Sequence, residues 1–60
     1  MPFITIEMIE GRTVEQKKEL VKGIAAAFQK IGVPLSSLHV LIKDNPRHNI
    51  ANGDKLMSES

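Results

Sequence analysis

The chain has 60 residues, with eight Lys and Arg against seven Asp and Glu, no cysteine, and hydrophobic residues at 42%. A domain this small buries only about 60% of its unfolded surface; disulfides are excluded and two isolated histidines do not suit a structural metal, so association with further copies is the expected source of stability. The net charge of +1 gives no footprint for nucleic acid or an anionic membrane. With neither a secretory leader nor a run of roughly 20 apolar residues, the expectation is one cytoplasmic domain over residues 1–60.

Pro2 opens the first element. Its small side chain favours removal of Met1 by a bacterial-type aminopeptidase, which would turn an inert amide nitrogen into a secondary amine. An α-amino group has a reference pKa of about 7.7 to 8.0, and an apolar pocket or a neighbouring cation lowers it by disfavouring the ammonium form. Proline after methionine is also a common product of processing and, taken alone, implies no chemistry. Residues 2–9 are rich in Ile, Phe and Thr and read as a strand covered on both faces, with Ile4, Ile6 and Met8 on one side.

Glu10-Gly11-Arg12 breaks the strand pattern, and Thr13 with Gln16 three residues later makes a capping box. An amphipathic helix follows, with Leu20, Ile24, Ala27, Phe28 and Ile31 recurring at three- and four-residue spacing and Val21 and Ala25 widening the stripe. Gly23 within it suits a close backbone approach, and Gly32 with Pro34 ends it. Residues 38–43 read as the second strand, Leu38, Val40 and Ile42 on one face and His39, Leu41 and Lys43 on the other. Strand, helix, strand predicts a βαβ unit of the α/β (α+β) class with parallel strands, whose free edges call for pairing with another copy. Residues 44–49 are turn-forming, residues 50–56 suit a short C-terminal hairpin with Asn52-Gly53 as its turn, and residues 57–60 are expected to fray.

Several residues suit chemistry. Arg12, between strand and helix, can hold a carboxylate bidentately beside exposed helix amides, although by position alone a solvated arginine is the commoner case. His39 can be neutral or cationic near neutral pH, and is either a ligand contact or an ordinary strand histidine. Arg47 and His48 lie in a loop where solvated side chains are the rule. No nucleophile motif, phosphate-cradling glycine loop or metal-ligand spacing is present.

Taken together, Met1-Pro2-Phe3-Ile4, Ile9-Glu10-Gly11-Arg12-Thr13, Glu15-Gln16-Lys17, Val33-Pro34-Leu35 and Asn52-Gly53 closely resemble the short oxalocrotonate tautomerase subunits over nearly the whole chain. The resemblance implies a βαβ tautomerase subunit assembled into dimers and then a hexameric trimer of dimers, with active sites shared between neighbours. It also implies a cofactor-independent isomerase that moves a proton within a small carboxylate-bearing enol or keto acid. Pro2 would be general base and then acid, and Arg12 of an adjacent subunit would hold the substrate carboxylate. Where well-known members carry a second arginine on strand two, this chain has His39, which donates one hydrogen bond rather than a bidentate clamp. Where they carry an aromatic residue after strand two, Asn49 or Ile50 stands, depending on a one-residue shift; Ile50 keeps that wall apolar. These departures put oxalocrotonate itself in doubt as substrate and leave a cofactor-free tautomerase, with Pro2 shuttling the proton, Arg12 anchoring a carboxylate, and His39 with Arg47 at the carbonyl end. The rival reading is a non-catalytic oligomeric scaffold or ligand-binding module. A ribbon-helix-helix DNA binder needs two helices after its strand, and the strand at 38–43 argues against it.

Overall fold

A computed structural model describes residues 2–59. Strand β1 (Phe3–Ile9) leads into helix α1 (Val14–Lys30), and strand β2 (His39–Asn45) returns beside β1 in parallel, Phe3 opposite His39 and Ile9 opposite Asn45. Short 3-10 turns occupy Leu35–Ser37, Arg47–Asn49 and Met57–Glu59, and a hairpin of β3 (Ala51–Asn52) and β4 (Lys55–Leu56) lies between the last two. The expected βαβ unit with a terminal hairpin is therefore present.

The helix begins and ends where local chemistry dictates. Gln16 N–H donates to Thr13 Oγ1 at 3.1 Å and Thr13 N–H donates to Gln16 Oε1 at 2.9 Å, so the capping box satisfies two donors that the first turn would leave orphaned. At the other end Gly32 adopts φ 89, a conformation costly for any residue with a Cβ. Its N–H donates to Gln29 O and that of Val33 to Phe28 O, the paired bonds of a Schellman motif.

Helix and sheet meet through one stripe. On the strands Ile4, Ile6, Met8, Val40 and Ile42 are half-buried, and on the helix Lys17, Val21, Ile24, Ala25 and Phe28 are. Lys17 Nζ reaches Asp44 Oδ2 at 2.5 Å, joining the first helical turn to the end of β2. The other sheet face carries Phe3, Thr5, Glu7, His39, Leu41 and Lys43, all exposed. The expectation that β1 is covered on both faces is thus corrected: a single helix covers a single face. The expected helical stripe is also too wide, because Leu20, Ala27 and Ile31 stay exposed, Ile31 by 74%. Nor does Gly23 mark a close approach, for a Cβ built there meets nothing within 4 Å.

Strand two starts at His39 and runs to Asn45, through residues expected to turn. Tertiary bonds hold them extended: Asp44 takes Lys17, while Asn45 Nδ2 donates to Glu7 Oε1 at 2.9 Å and to Met8 O at 3.3 Å. The hairpin pairs Asn52 with Lys55, so its two turn residues are Gly53 and Asp54 rather than Asn52 and Gly53. Gly53 has φ 65 and Asp54 does not share the positive sign, the pattern of a type II′ turn, which takes glycine first. The expected fraying after Leu56 is not found over residues 57–59. Met57 N–H donates to Ile50 O at 2.8 Å, and Glu59 Oε2 accepts from Leu56 N–H at 2.8 Å. Ser60, included in that expectation, lies outside the described residues, as does Met1.

No described residue is fully buried. The chain exposes 4689 Å², where a compact chain of this length exposes about 3,900 Å². Its radius of gyration is 14.7 Å, against about 10 Å for a compact domain of this size. Among the described residues no helix is long and apolar enough to cross a membrane.

Candidate active site

Pro2 is tethered rather than free. Its carbonyl accepts the His39 N–H at 3.1 Å, which extends the parallel ladder one rung beyond the start of β1. Pro2 is half-buried, and Ile4 and its register partner Val40 supply apolar surface on the face whose parity it shares. His39 is therefore brought to the Pro2 end by the backbone. Its imidazole lies on the helix-free face, stacked on the ring of Phe3 with centroids 6.0 Å apart and planes inclined by 25°.

Arg12 sits at the opposite end of the sheet. There the backbone leaves β1 with one further ladder bond, Glu10 N–H to Asn45 O at 3.0 Å, and turns into the capped helix. Arg12 is exposed and has no carboxylate within ion-pair distance among the described residues. It lines a cavity of about 220 Å³ with Met8, Gln16, Lys17 and Leu20. A helix N-terminus beside a guanidinium adds positive potential, so the cavity combines an apolar wall with a cationic rim.

The remaining candidates follow β2 to that same far end. Arg47 opens the 3-10 turn after the strand and lines a separate cavity of about 260 Å³ with Asn52, Lys55, Leu56, Met57 and Glu59. Ile50 is half-buried and fixed by two backbone bonds, its N–H to Arg47 O at 3.2 Å and its carbonyl from Met57 N–H, whereas Asn49 is exposed. Of the two residues at the expected wall position, Ile50 is the one turned inward.

The strand separates these groups. At about 3.3 Å of rise per residue, Pro2 and Arg12 stand on the order of 25 Å apart, at opposite ends of β1. A small acid reaches only a fraction of that distance. One chain thus unites Pro2 with His39 and places Arg12, Arg47 and Ile50 elsewhere. Two neighbours at these sites were not singled out by sequence. Phe3 becomes a partner of His39 only once the strand register is known, and Lys17 reaches the Arg12 cavity only through the helix packing.

A family model for tautomerase enzymes matches residues 2–60. The chain belongs to the tautomerase family. A probable tautomerase of Streptococcus pneumoniae is 49% identical over 47 residues, spanning 77% of this chain and 78% of that protein. Among solved structures, YwhB, a homologue of 4-oxalocrotonate tautomerase, matches with a TM-score of 0.90 at 32% identity, covering 98% of each chain. A heterohexameric 4-oxalocrotonate tautomerase from Chloroflexus aurantiacus matches with a TM-score of 0.86 at 35% identity, covering 98% of this chain and 97% of that one. This tautomerase is accordingly an isomerase with the βαβ fold of its relatives. The non-catalytic alternative finds no support in these likenesses.

Proposed function

We propose that this tautomerase interconverts the enol and keto forms of a small unsaturated 2-hydroxy or 2-keto acid by a 1,3- or 1,5-proton transfer, with the Pro2 nitrogen as the base that takes the proton and the acid that returns it. The observation that carries the reading is the pinning of Pro2 by the His39 amide at 3.1 Å, which fixes the chain start beside an apolar strand face. With Met1 removed, the nitrogen is an amine; apolar surroundings and a nearby cation both disfavour its ammonium form, so it is uncharged often enough to accept a proton. Arg12 of a neighbouring copy holds the substrate carboxylate in a charge-assisted contact of roughly 1.5 to 3 kcal/mol. His39 donates a hydrogen bond to the carbonyl oxygen, and Arg47 and Ile50, which lie at the far end of their own strands, reach that site from a neighbouring copy to assist there and to supply apolar wall.

The neighbouring copy is needed because Arg12 and Pro2 occupy opposite ends of β1 and because no described residue is fully buried within one chain. A homo-oligomer built from dimers, and a hexamer by analogy with the Chloroflexus relative, meets both needs. No cofactor takes part in this scheme.

Turnover of a simple enol acid such as phenylenolpyruvate by Pro2→Ala tests it. The variant exchanges the ring amine for a primary amine that is no longer fixed by the ring, so kcat falls by about tenfold or more while the assembly size is kept; wild-type turnover removes the Pro2 ring nitrogen from the mechanism.

A further inference from the structure

Among the described residues Phe3 and His39 form an aromatic pair at the end of the sheet where the His39 amide holds Pro2. They are register partners at the start of the two parallel strands, so both side chains project from the same face. Their centroid separation of 6.0 Å falls within the range of about 4.5 to 7 Å in which ring pairs attract. Phe3 is 66% exposed, so little else in the chain holds it. The imidazole makes no side-chain hydrogen bond among the described residues, which leaves both of its nitrogens open to a ligand. A histidine so placed, with no carboxylate or carbonyl to fix its ring, would otherwise sample several rotamers.

We infer that Phe3 is a positioning residue for this tautomerase: by stacking on the imidazole it holds His39 in the rotamer that presents a ring nitrogen to the substrate oxygen. The inference rests on the proposed role of His39. Stacking of this kind biases one rotamer over its competitors by roughly two- to tenfold. Because His39 meets an oxygen that gains negative charge as the proton moves, loss of its orientation lowers kcat more than it raises KM.

The test combines kinetics on an enol acid with proton NMR of the His39 ring in wild type, Phe3→Leu, Phe3→Tyr, His39→Ala and the Phe3→Leu/His39→Ala double variant. In wild type the ring protons of His39 are shifted upfield by the Phe3 ring current, and Phe3→Leu abolishes that shift. The expected kinetics are a kcat about three- to tenfold lower for Phe3→Leu with KM within about twofold. Phe3→Tyr restores both the shift and the rate, and Phe3→Leu adds nothing to His39→Ala. Independent, multiplying losses in the double variant overturn the inference, as does unchanged kcat in Phe3→Leu when His39→Ala is slow. Wild-type turnover in His39→Ala removes the role of His39 itself, and the positioning of that residue falls with it. Should Phe3→Leu not assemble, an unshifted His39 ring in wild type, or slow turnover by Phe3→Tyr, overturns the inference without it.

Discussion

At the scale of single residues, the proposed chemistry rests on how the ends of β1 are held. Pro2 is fixed by one bond from the His39 amide, and Arg12 is left without a carboxylate among the described residues. An unpaired guanidinium beside a helix start is available for a carboxylate from outside the chain. Arg12→Ala is therefore expected to raise KM for carboxylate substrates by about tenfold or more, as loss of a charge-assisted contact implies; steady-state kinetics check this, and an unaltered KM excludes the anchoring role. Asn45 is a structural counterpart, bonded through Nδ2 to Glu7 Oε1 and Met8 O. Asn45→Ala should cost about 1 kcal/mol, read as a lower denaturant midpoint at fixed protein concentration. Pro2 and Arg12 were nominated through the family resemblance, since position alone favoured a product of processing for the one and a solvated side chain for the other. The stack of Phe3 on His39 could not be read that way, since it follows from a strand register that no local pattern sets.

At the scale of elements, α1 is the part that local sequence specifies most completely. Thr13 and Gln16 close the capping box, and Gly32 closes the Schellman motif, each from residues within a few positions. Thr13→Ala should cost about 1 kcal/mol of stability. Gly23→Ala should add between about 0.5 and 1 kcal/mol, because a Cβ there meets nothing and the helix interior loses its most flexible residue. Thermal unfolding at one protein concentration measures both. The strands are less legible. Residues 44 and 45 look like a turn by composition, yet they are drawn into β2 by Lys17 and Glu7, partners 27 and 38 positions away. The hairpin was visible in outline, but its turn is set one residue later than the Asn-Gly pair suggests, because the pairing of Asn52 with Lys55 puts Gly53 first.

At the scale of the whole molecule, the apolar residues that sequence assigns to a core outnumber those that one chain covers. Of the helical stripe Leu20, Ala27 and Ile31 stay exposed, Ile31 by 74%, and the chain is less compact than its length allows. The helical stripe read from spacing was too wide for this reason: periodicity reports which residues avoid water, not which copy covers them. Activity shared between copies should fall on dilution through the dissociation range, followed by initial rates, whereas a constant specific activity there marks a self-sufficient monomer. The most direct measurement is turnover after Pro2→Ala and Arg12→Ala subunits are unfolded, mixed and reassembled together. If each site joins Pro2 of one copy to Arg12 of another, some mixed sites hold both native residues and activity returns well above either parent. If both residues act within one chain, every site keeps one defect and the mixture stays as inactive as its components.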